Sequence, residues 1–259
     1  MNRVDKARVR AAFSRGAAAY DARARVQPAI RARVLALALD GAPPEGRALD
    51  VGAGTGRLLA DLAAARPGLR LTGVDLAPGM CAACRAGAPA AGVAAADAEA
   101  LPFGGGAFDL VLSSSTFQWL PRLEPALAEC ARVLRPGGRL VLALFAERTL
   151  QELRAAWRDA AGDGRLHRFF TAGEVAGAIG AAGLALAALE EAELVERHPD
   201  PRSLLRSLKA IGAQGAAPGP AGLAGRGATL AMLRRYQEVH GGPAGVPATW
   251  HVVYAVASR

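Results

Sequence analysis

The sequence predicts an α/β domain built on a largely parallel sheet. Short apolar runs at residues 48–51, 69–74, 92–95, 108–112 and 139–145 alternate with segments long enough for helices. The length, 259 residues, suits one core with additions rather than two equal halves. A glycine turn, Gly52-Ala53-Gly54-Thr55-Gly56, leads from the first apolar run into a helical segment.

The elements around this sheet follow from the same patterns. Residues 3–20 read as a helix, with Val9, Ala12, Phe13 and Ala17 at helical spacing, and a second helix at 28–39 ends in Gly41-Ala42-Pro43-Pro44. After Phe145 come helices at 149–161 and 171–182, the second opened by Thr171 and Glu174 at capping-box spacing. A strand is expected at 184–195, a helix at 201–213, a mobile Gly/Pro-rich loop at 215–227, a last helix at 228–240 and a β-branched closing strand at 250–256. No internal repeat is visible.

Composition narrows the classes. Hydrophobic residues make up 52% of the chain, which excludes disorder throughout, yet no uncharged apolar stretch reaches the roughly 18 residues of a membrane span. Met1 to Arg10 is charged where a signal peptide would be apolar, so a cytoplasmic location is expected. The formal charge is +8, carried almost wholly by arginine, since lysine occurs only at Lys6 and Lys209. That charge fits either a solvated basic surface or an acidic partner. Nucleic acid is disfavoured, because the basic residues are scattered and no aromatics are interleaved to stack bases. Cys81 and Cys84 have C-x-x-C spacing but no second pair of ligands, so buried thiols are expected at these positions and at Cys130, and no metal.

The glycine loop is the most informative segment. Its spacing, G-x-G-x-G, differs from the G-x-G-x-x-G of dinucleotide sites and points away from a pyrophosphate. Asp75 ends the next predicted strand, where a carboxylate can accept from both hydroxyls of a ribose. Asp97, in Ala96-Asp97-Ala98-Glu99, ends the third and can accept from an adenine amino group. Phe108-Asp109-Leu110-Val111 opens the fourth strand, and Leu134-Arg135-Pro136-Gly137-Gly138 reads as the turn into the fifth.

This ordered set, over about residues 45–145, resembles the class I S-adenosylmethionine-dependent methyltransferases. The resemblance implies a Rossmann-like seven-stranded sheet with strand seven antiparallel, 184–195 and 249–257 supplying strands six and seven. It implies a single methyltransferase domain over 1–259, with an N-terminal helical cap (1–40), a donor-binding core (45–147) and substrate-side elements (148–259). The last group includes a helical insertion at about 200–240 between strands six and seven. S-adenosyl-L-methionine is the implied cofactor, held by Asp50, Gly52, Gly54, Gly56, Asp75, Leu76, Asp97 and Ala98.

Segments outside that core narrow the resemblance. Arg10-Ala11-Ala12-Phe13-Ser14-Arg15 with Tyr20-Asp21, Leu101-Pro102-Phe103, Phe117-Gln118-Trp119, Leu150-Gln151-Glu152-Leu153 before Trp157, His167-Arg168-Phe169, and 206–213 look like the malonyl-acyl carrier protein O-methyltransferases that open the biotin pathway. Ala53 and Thr55 stand where that family often has Cys or Pro. Ser113-Ser114-Ser115 stands where Asn is common, and Arg148-Thr149 replaces a small pair. The implied reaction is methylation of a malonyl carboxylate on acyl carrier protein or coenzyme A. A carboxylate is already ionised near neutral pH, so no general base is required, and the sequence offers no convincing nucleophile and base set.

The resemblance suggests substrate-positioning roles for Tyr20, Gln118, Trp119, Arg148 and Arg168, with Tyr20 against the donor near its methyl. For Tyr20 and Trp119 plain packing stands beside the functional role, and for the two arginines so does a surface position. Arg202, Arg206 and Lys209, at helical spacings of four and three, share one face and are candidates for docking an acidic carrier protein. A different class I enzyme, such as a quinone-pathway C-methyltransferase, would share the sheet and differ in the cap and insertion.

Overall fold

The computed structural model describes residues 4–161, 167–210 and 226–259. The N-terminal cap comprises α1 (Lys6–Gly16), a 3-10 turn (Ala17–Ala19), α2 (Tyr20–Arg23) and α3 (Gln27–Leu39). The core follows as β1 (Glu45–Val51), α4 (Arg57–Ala65), β2 (Gly68–Asp75), α5 (Pro78–Gly87), β3 (Gly92–Ala95), β4 (Phe108–Ser114), α6 (Glu124–Val133) and β5 (Leu134–Phe145). Then come α7 (Gln151–Ala161), α8 (Ala172–Ala181), β6 (Ala185–His198), α9 (Pro201–Ala210), α10 (Arg226–His240) and β7 (Val246–Ser258).

The seven strands form one sheet in the order β3-β2-β1-β4-β5-β7-β6, and β7 runs antiparallel to both of its neighbours. Side chains alternate faces along each strand, which builds a core on each side. Leu110 and Leu112 join one with Ile30, Leu59 and Trp250, while Val111 joins the other with Leu49, Leu127 and Val253. β1 lies between β2 and β4, so the strand order reverses there, and the carboxyl ends at such a reversal are where open α/β sheets leave a crevice.

Three differences from the sequence reading have physical causes. The single helix expected over 3–20 breaks at Gly16, the weakest helix former in the segment, and the tight turn at Ala17–Ala19 starts α2 at Tyr20. The expected turn at Pro136-Gly137-Gly138 is an irregularity inside β5. Phe108 pairs with Leu134 and Leu110 with Arg139, and the residues between bulge at Gly137, whose φ of 77° suits glycine. β6 extends beyond residue 195 to His198 because β7 pairs with it along the whole length, from Ser258 opposite Ala185 to Val246 opposite His198. The Thr171–Glu174 capping box forms in both directions. Residues 211–213 of the expected helix and 215–225 of the expected loop lie outside the described residues.

The cap lies directly on the core. Ala17, Ala77 and Met80 are buried together, with Phe13 and Tyr20 packed against them. A Cβ on Gly79 would overlap the Ser14 backbone, so this glycine sets how closely α1 approaches α5. No helix among the described residues is long and apolar enough to cross a membrane.

Candidate active site

A cavity of about 430 Å³ opens over the carboxyl ends of β1 to β4 and is roofed by α1 and α2. Asp50, Gly52, Gly54, Asp75, Leu76, Asp97 and Ala98 line it, so the structure brings these expected donor residues together. Gly56, the remaining member of the expected set, is buried at the start of α4 and does not line the cavity.

The loop is shaped by its own backbone. The N–H groups of Gly52 and Ala53 donate to the Val74 carbonyl at 2.8 and 2.9 Å, pinning the loop to the end of β2. Gly52, Gly54 and Gly56 all have left-handed φ, at 81°, 54° and 82°. Their reasons for being glycine differ. A Cβ on Gly52 would overlap the Thr116 side chain, one on Gly56 would press on Cys84 and Ala88, and one on Gly54 would meet nothing within 4 Å.

The carboxylates differ in setting. Asp75 accepts from the Gly54 N–H at 3.0 Å and from the Ala77 N–H at 2.8 Å, so both oxygens are oriented while each keeps a lone pair for a hydroxyl donor. Burial raises its pKa against the pull of those two N–H groups. Asp50 is buried and its Oδ1 has no hydrogen-bond partner among the described residues. Burial, and then the charge of Asp75, push its pKa up to about 8. Asp97 accepts the Lys6 ammonium at 2.9 and 2.7 Å and the Glu99 N–H at 3.0 Å.

An aromatic row crosses the roof. Phe13 stands 6.2 Å from Tyr20 and 5.8 Å from Trp119, Trp119 stands 5.3 Å from His167, and His167 stands 4.9 Å from Phe169. Tyr20 and Trp119 both line the cavity. Burial first, then Asp21 and Asp75, raise the Tyr20 phenol to about 12, so it keeps its proton. His167 Nε2 lies 2.6 Å from the Gln118 carbonyl, which can only accept, so Nε2 carries the hydrogen. Burial lowers the pKa of this imidazole to about 4.

Three of the positioning candidates do not line the cavity. Gln118 is buried, donating from Nε2 to the Ser115 carbonyl at 2.6 Å and accepting the Phe145 N–H at 3.4 Å, so it braces the loop after β4. Arg148 pairs with Glu191 and Glu193 at 3.2 and 2.9 Å, and Arg168 pairs with Glu174 at 2.5 Å. Arg202, Arg206 and Lys209 are exposed together on α9, opposite buried Pro201, Leu204 and Leu208.

Sequence reasoning missed Lys6, Asp21 and Ser115 as cavity residues. Asp21 accepts from Thr55 Oγ1 and Arg57 Nε, both at 2.7 Å, tying α2 to the glycine loop. All these pairings cross many residues of chain, and no local pattern announces them. Cys81, Cys84 and Cys130 are buried free thiols, as expected.

The glycine loop, the three strand-end carboxylates and the sheet order define an S-adenosyl-L-methionine-dependent methyltransferase of the class I fold. A methyltransferase-domain family matches residues 49–142. YcgJ of Bacillus subtilis, a solved structure, superposes with a TM-score of 0.63 at 18% identity, covering 88% of this chain and 98% of its own, a likeness of fold. The malonyl-[acyl-carrier protein] O-methyltransferase of Geobacter sulfurreducens is 46% identical over 99% of this chain and 100% of its own. The bifunctional biotin-biosynthesis protein BioHC of Cellvibrio japonicus is 36% identical over 99% of this chain and 51% of its own. The chain belongs to the malonyl-[acyl-carrier protein] O-methyltransferase family.

Proposed function

We propose that this enzyme methylates the free carboxylate of a malonyl thioester on acyl carrier protein, giving the methyl ester that primes pimeloyl synthesis for biotin. The observation that carries the proposal is the 46% identity to a malonyl-[acyl-carrier protein] O-methyltransferase over the whole chain, cap and insertion included. The reading places the enzyme in the cytoplasm with its carrier.

The cavity residues suit the donor. S-adenosyl-L-methionine, when bound, supplies a methyl group on a sulfonium, which a carboxylate oxygen takes while the C–S electron pair stays on sulfur, so no proton moves. Asp50 offers to a cationic group a buried oxygen that has no hydrogen-bond partner among the described residues. Gly54, open on its Cβ side, lets a ligand approach the loop backbone. Asp75 is assigned to the ribose and Asp97 to the adenine amino group, with Leu76 and Ala98 as apolar walls. Tyr20 and Trp119, held through Phe13, exclude water from the reacting end. A carboxylate acceptor needs alignment rather than deprotonation, and alignment alone can supply roughly 7 to 11 kcal/mol in favourable cases.

The test is transfer of labelled methyl groups by the purified protein to malonyl, acetyl and free carrier protein. Base-labile label on the malonyl form alone is expected; label on none of them, or equally on all, refutes the proposal. Complementation of a biotin auxotroph lacking this step, with Asp75→Ala as the inactive control, checks the pathway.

A further inference from the structure

β4 ends at Ser114, and the next residue, Ser115, has a φ of 55°. Left-handed backbone is unfavourable for a residue with a Cβ and persists only where the surroundings impose it. Here they do. The Ser115 N–H donates to the Ala143 carbonyl of β5 at 2.8 Å, and its own carbonyl accepts from buried Gln118, which is itself braced against Phe145.

The hydroxyls of Ser113 and Thr116 are engaged. Ser113 Oγ donates to the Val51 carbonyl at 2.8 Å, and Thr116 Oγ1 lies 3.3 and 3.2 Å from the Gly52 and Ser114 carbonyls. Ser115 Oγ is buried and has no hydrogen-bond partner among the described residues, while its residue lines the cavity. A buried hydroxyl without a partner is costly and calls for an explanation. So does the strained backbone that fixes where it sits.

Its position supplies one. Of the cavity's carboxylates, Asp21 and Asp61 are paired with Arg57 and Arg31. The other three, Asp50, Asp75 and Asp97, belong to β1, β2 and the segment after β3, on one side of the strand reversal. An anionic acceptor is repelled there. β4 and the segment after it, across the reversal, contribute Ser114, Ser115, Thr116 and Trp119, all uncharged. A neutral hydroxyl can hold a carboxylate without the full cationic charge that would draw electron density from its attacking oxygen.

We propose that Ser115 is the acceptor-binding residue: its hydroxyl donates to the non-attacking oxygen of the terminal carboxylate and leaves the other oxygen free to reach the methyl group. The inference deepens the malonyl reading and rests on it. Gln118 then acts as a positioning residue, working through the Ser115 backbone.

The experiment compares wild type with Ser115→Ala, which deletes the hydroxyl, and Ser115→Gly, which deletes it and relaxes the backbone. Steady-state kinetics with malonyl-coenzyme A, inhibition by acetyl-coenzyme A and the donor Kd are measured for each. Hydrogen bonds to charged groups are strong enough that kcat/KM for malonyl-coenzyme A should fall at least about tenfold in both variants. The donor Kd and the inhibition constant of acetyl-coenzyme A, which lacks the terminal carboxylate, should stay within about twofold of wild type. Unchanged kcat/KM in both variants overturns the proposal. Loss in the Ala variant alone assigns the effect to backbone, and parallel loss of acetyl-coenzyme A or donor binding assigns it to pocket shape; each overturns it too. If wild type methylates no malonyl thioester, the malonyl reading fails and this assignment falls with it.

Discussion

The Lys6 ammonium lies 2.9 and 2.7 Å from the two oxygens of Asp97 and also meets Glu99, joining the first turn of α1 to the end of β3. Asp21 makes the corresponding tie at the other end of the cap, to Thr55 and Arg57. Between them Phe13 and Tyr20 roof the cavity, so two polar latches hold an apolar lid. Partly exposed ion pairs contribute about 1 kcal/mol or less, and salt weakens them. Lys6→Met should therefore raise amide hydrogen exchange in α1 a few-fold, up to about fivefold. Added 0.5 M salt should do the same to wild type and little to the variant. Equal exchange in both proteins at low salt would show that apolar packing alone holds the cap.

The glycines of the loop should respond unequally to alanine. Gly52→Ala meets both a left-handed φ and the Thr116 side chain, whereas Gly54→Ala meets the φ alone. Gly54→Ala should cost about 1–2 kcal/mol of stability and Gly52→Ala clearly more. Thermal unfolding ranks the two. Donor binding should be lost with Gly54→Ala beyond what its stability explains, because its Cβ enters space that the ligand needs. Equal unfolding temperatures for the two variants would contradict the steric distinction.

Much of this site is legible in the sequence because glycine and aspartate at strand ends carry positional meaning. The left-handed angles at Gly52, Gly54 and Gly56 require the residue that the sequence shows, and Asp75 and Asp97 stand where strands stop. Thr171 and Glu174, three residues apart, could be read as a cap from their types alone. What was not legible is the pairing of distant side chains. Gln118 reads as a site residue beside Trp119, yet its side chain turns to Ser115 and Phe145. Arg148 and Arg168 read as anion ligands, yet Glu191, Glu193 and Glu174 lie closer to them than the cavity does. The strain at Ser115 has no local signature, since serine at the end of a strand is ordinary.

Asp50 gives donor binding a pH dependence with a defined sign. With a pKa near 8, its carboxyl is mostly protonated at pH 7 in the free protein. A cationic ligand beside it favours the ionised form, so binding at pH 7 should release a proton, and donor affinity should rise with pH toward about 8. The linkage also acts on folding. The native carboxyl keeps its proton where the unfolded chain has lost it, so stability is fully present below about pH 4 and declines as pH rises toward about 8. Calorimetric titrations in buffers of different ionisation enthalpy count the released proton. In Asp50→Asn the release should vanish, and an unchanged release would place the titrating group elsewhere.

The basic face of α9 bears on how the acceptor is delivered. Pro201, Leu204 and Leu208 are buried, which turns Arg202, Arg206 and Lys209 outward together. The helix also ends beside the cap, where Arg23 donates to the Ala210 carbonyl at 3.2 Å, so a partner seated on this face stands next to the roof of the cavity. An acidic carrier protein suits that charge, and rim charges of this kind act through encounter and local affinity more than through chemistry. The double variant Arg202→Glu/Arg206→Glu should raise KM for malonyl carrier protein about tenfold or more, with kcat little changed and malonyl-coenzyme A kinetics within about twofold of wild type. The gap between wild type and variant should close as salt rises, because screening removes the attraction in one and the repulsion in the other. Equal loss on both substrates would mean that the charges support the fold of α9 rather than the carrier. No loss on either would leave them as a solvated surface and move docking to another face.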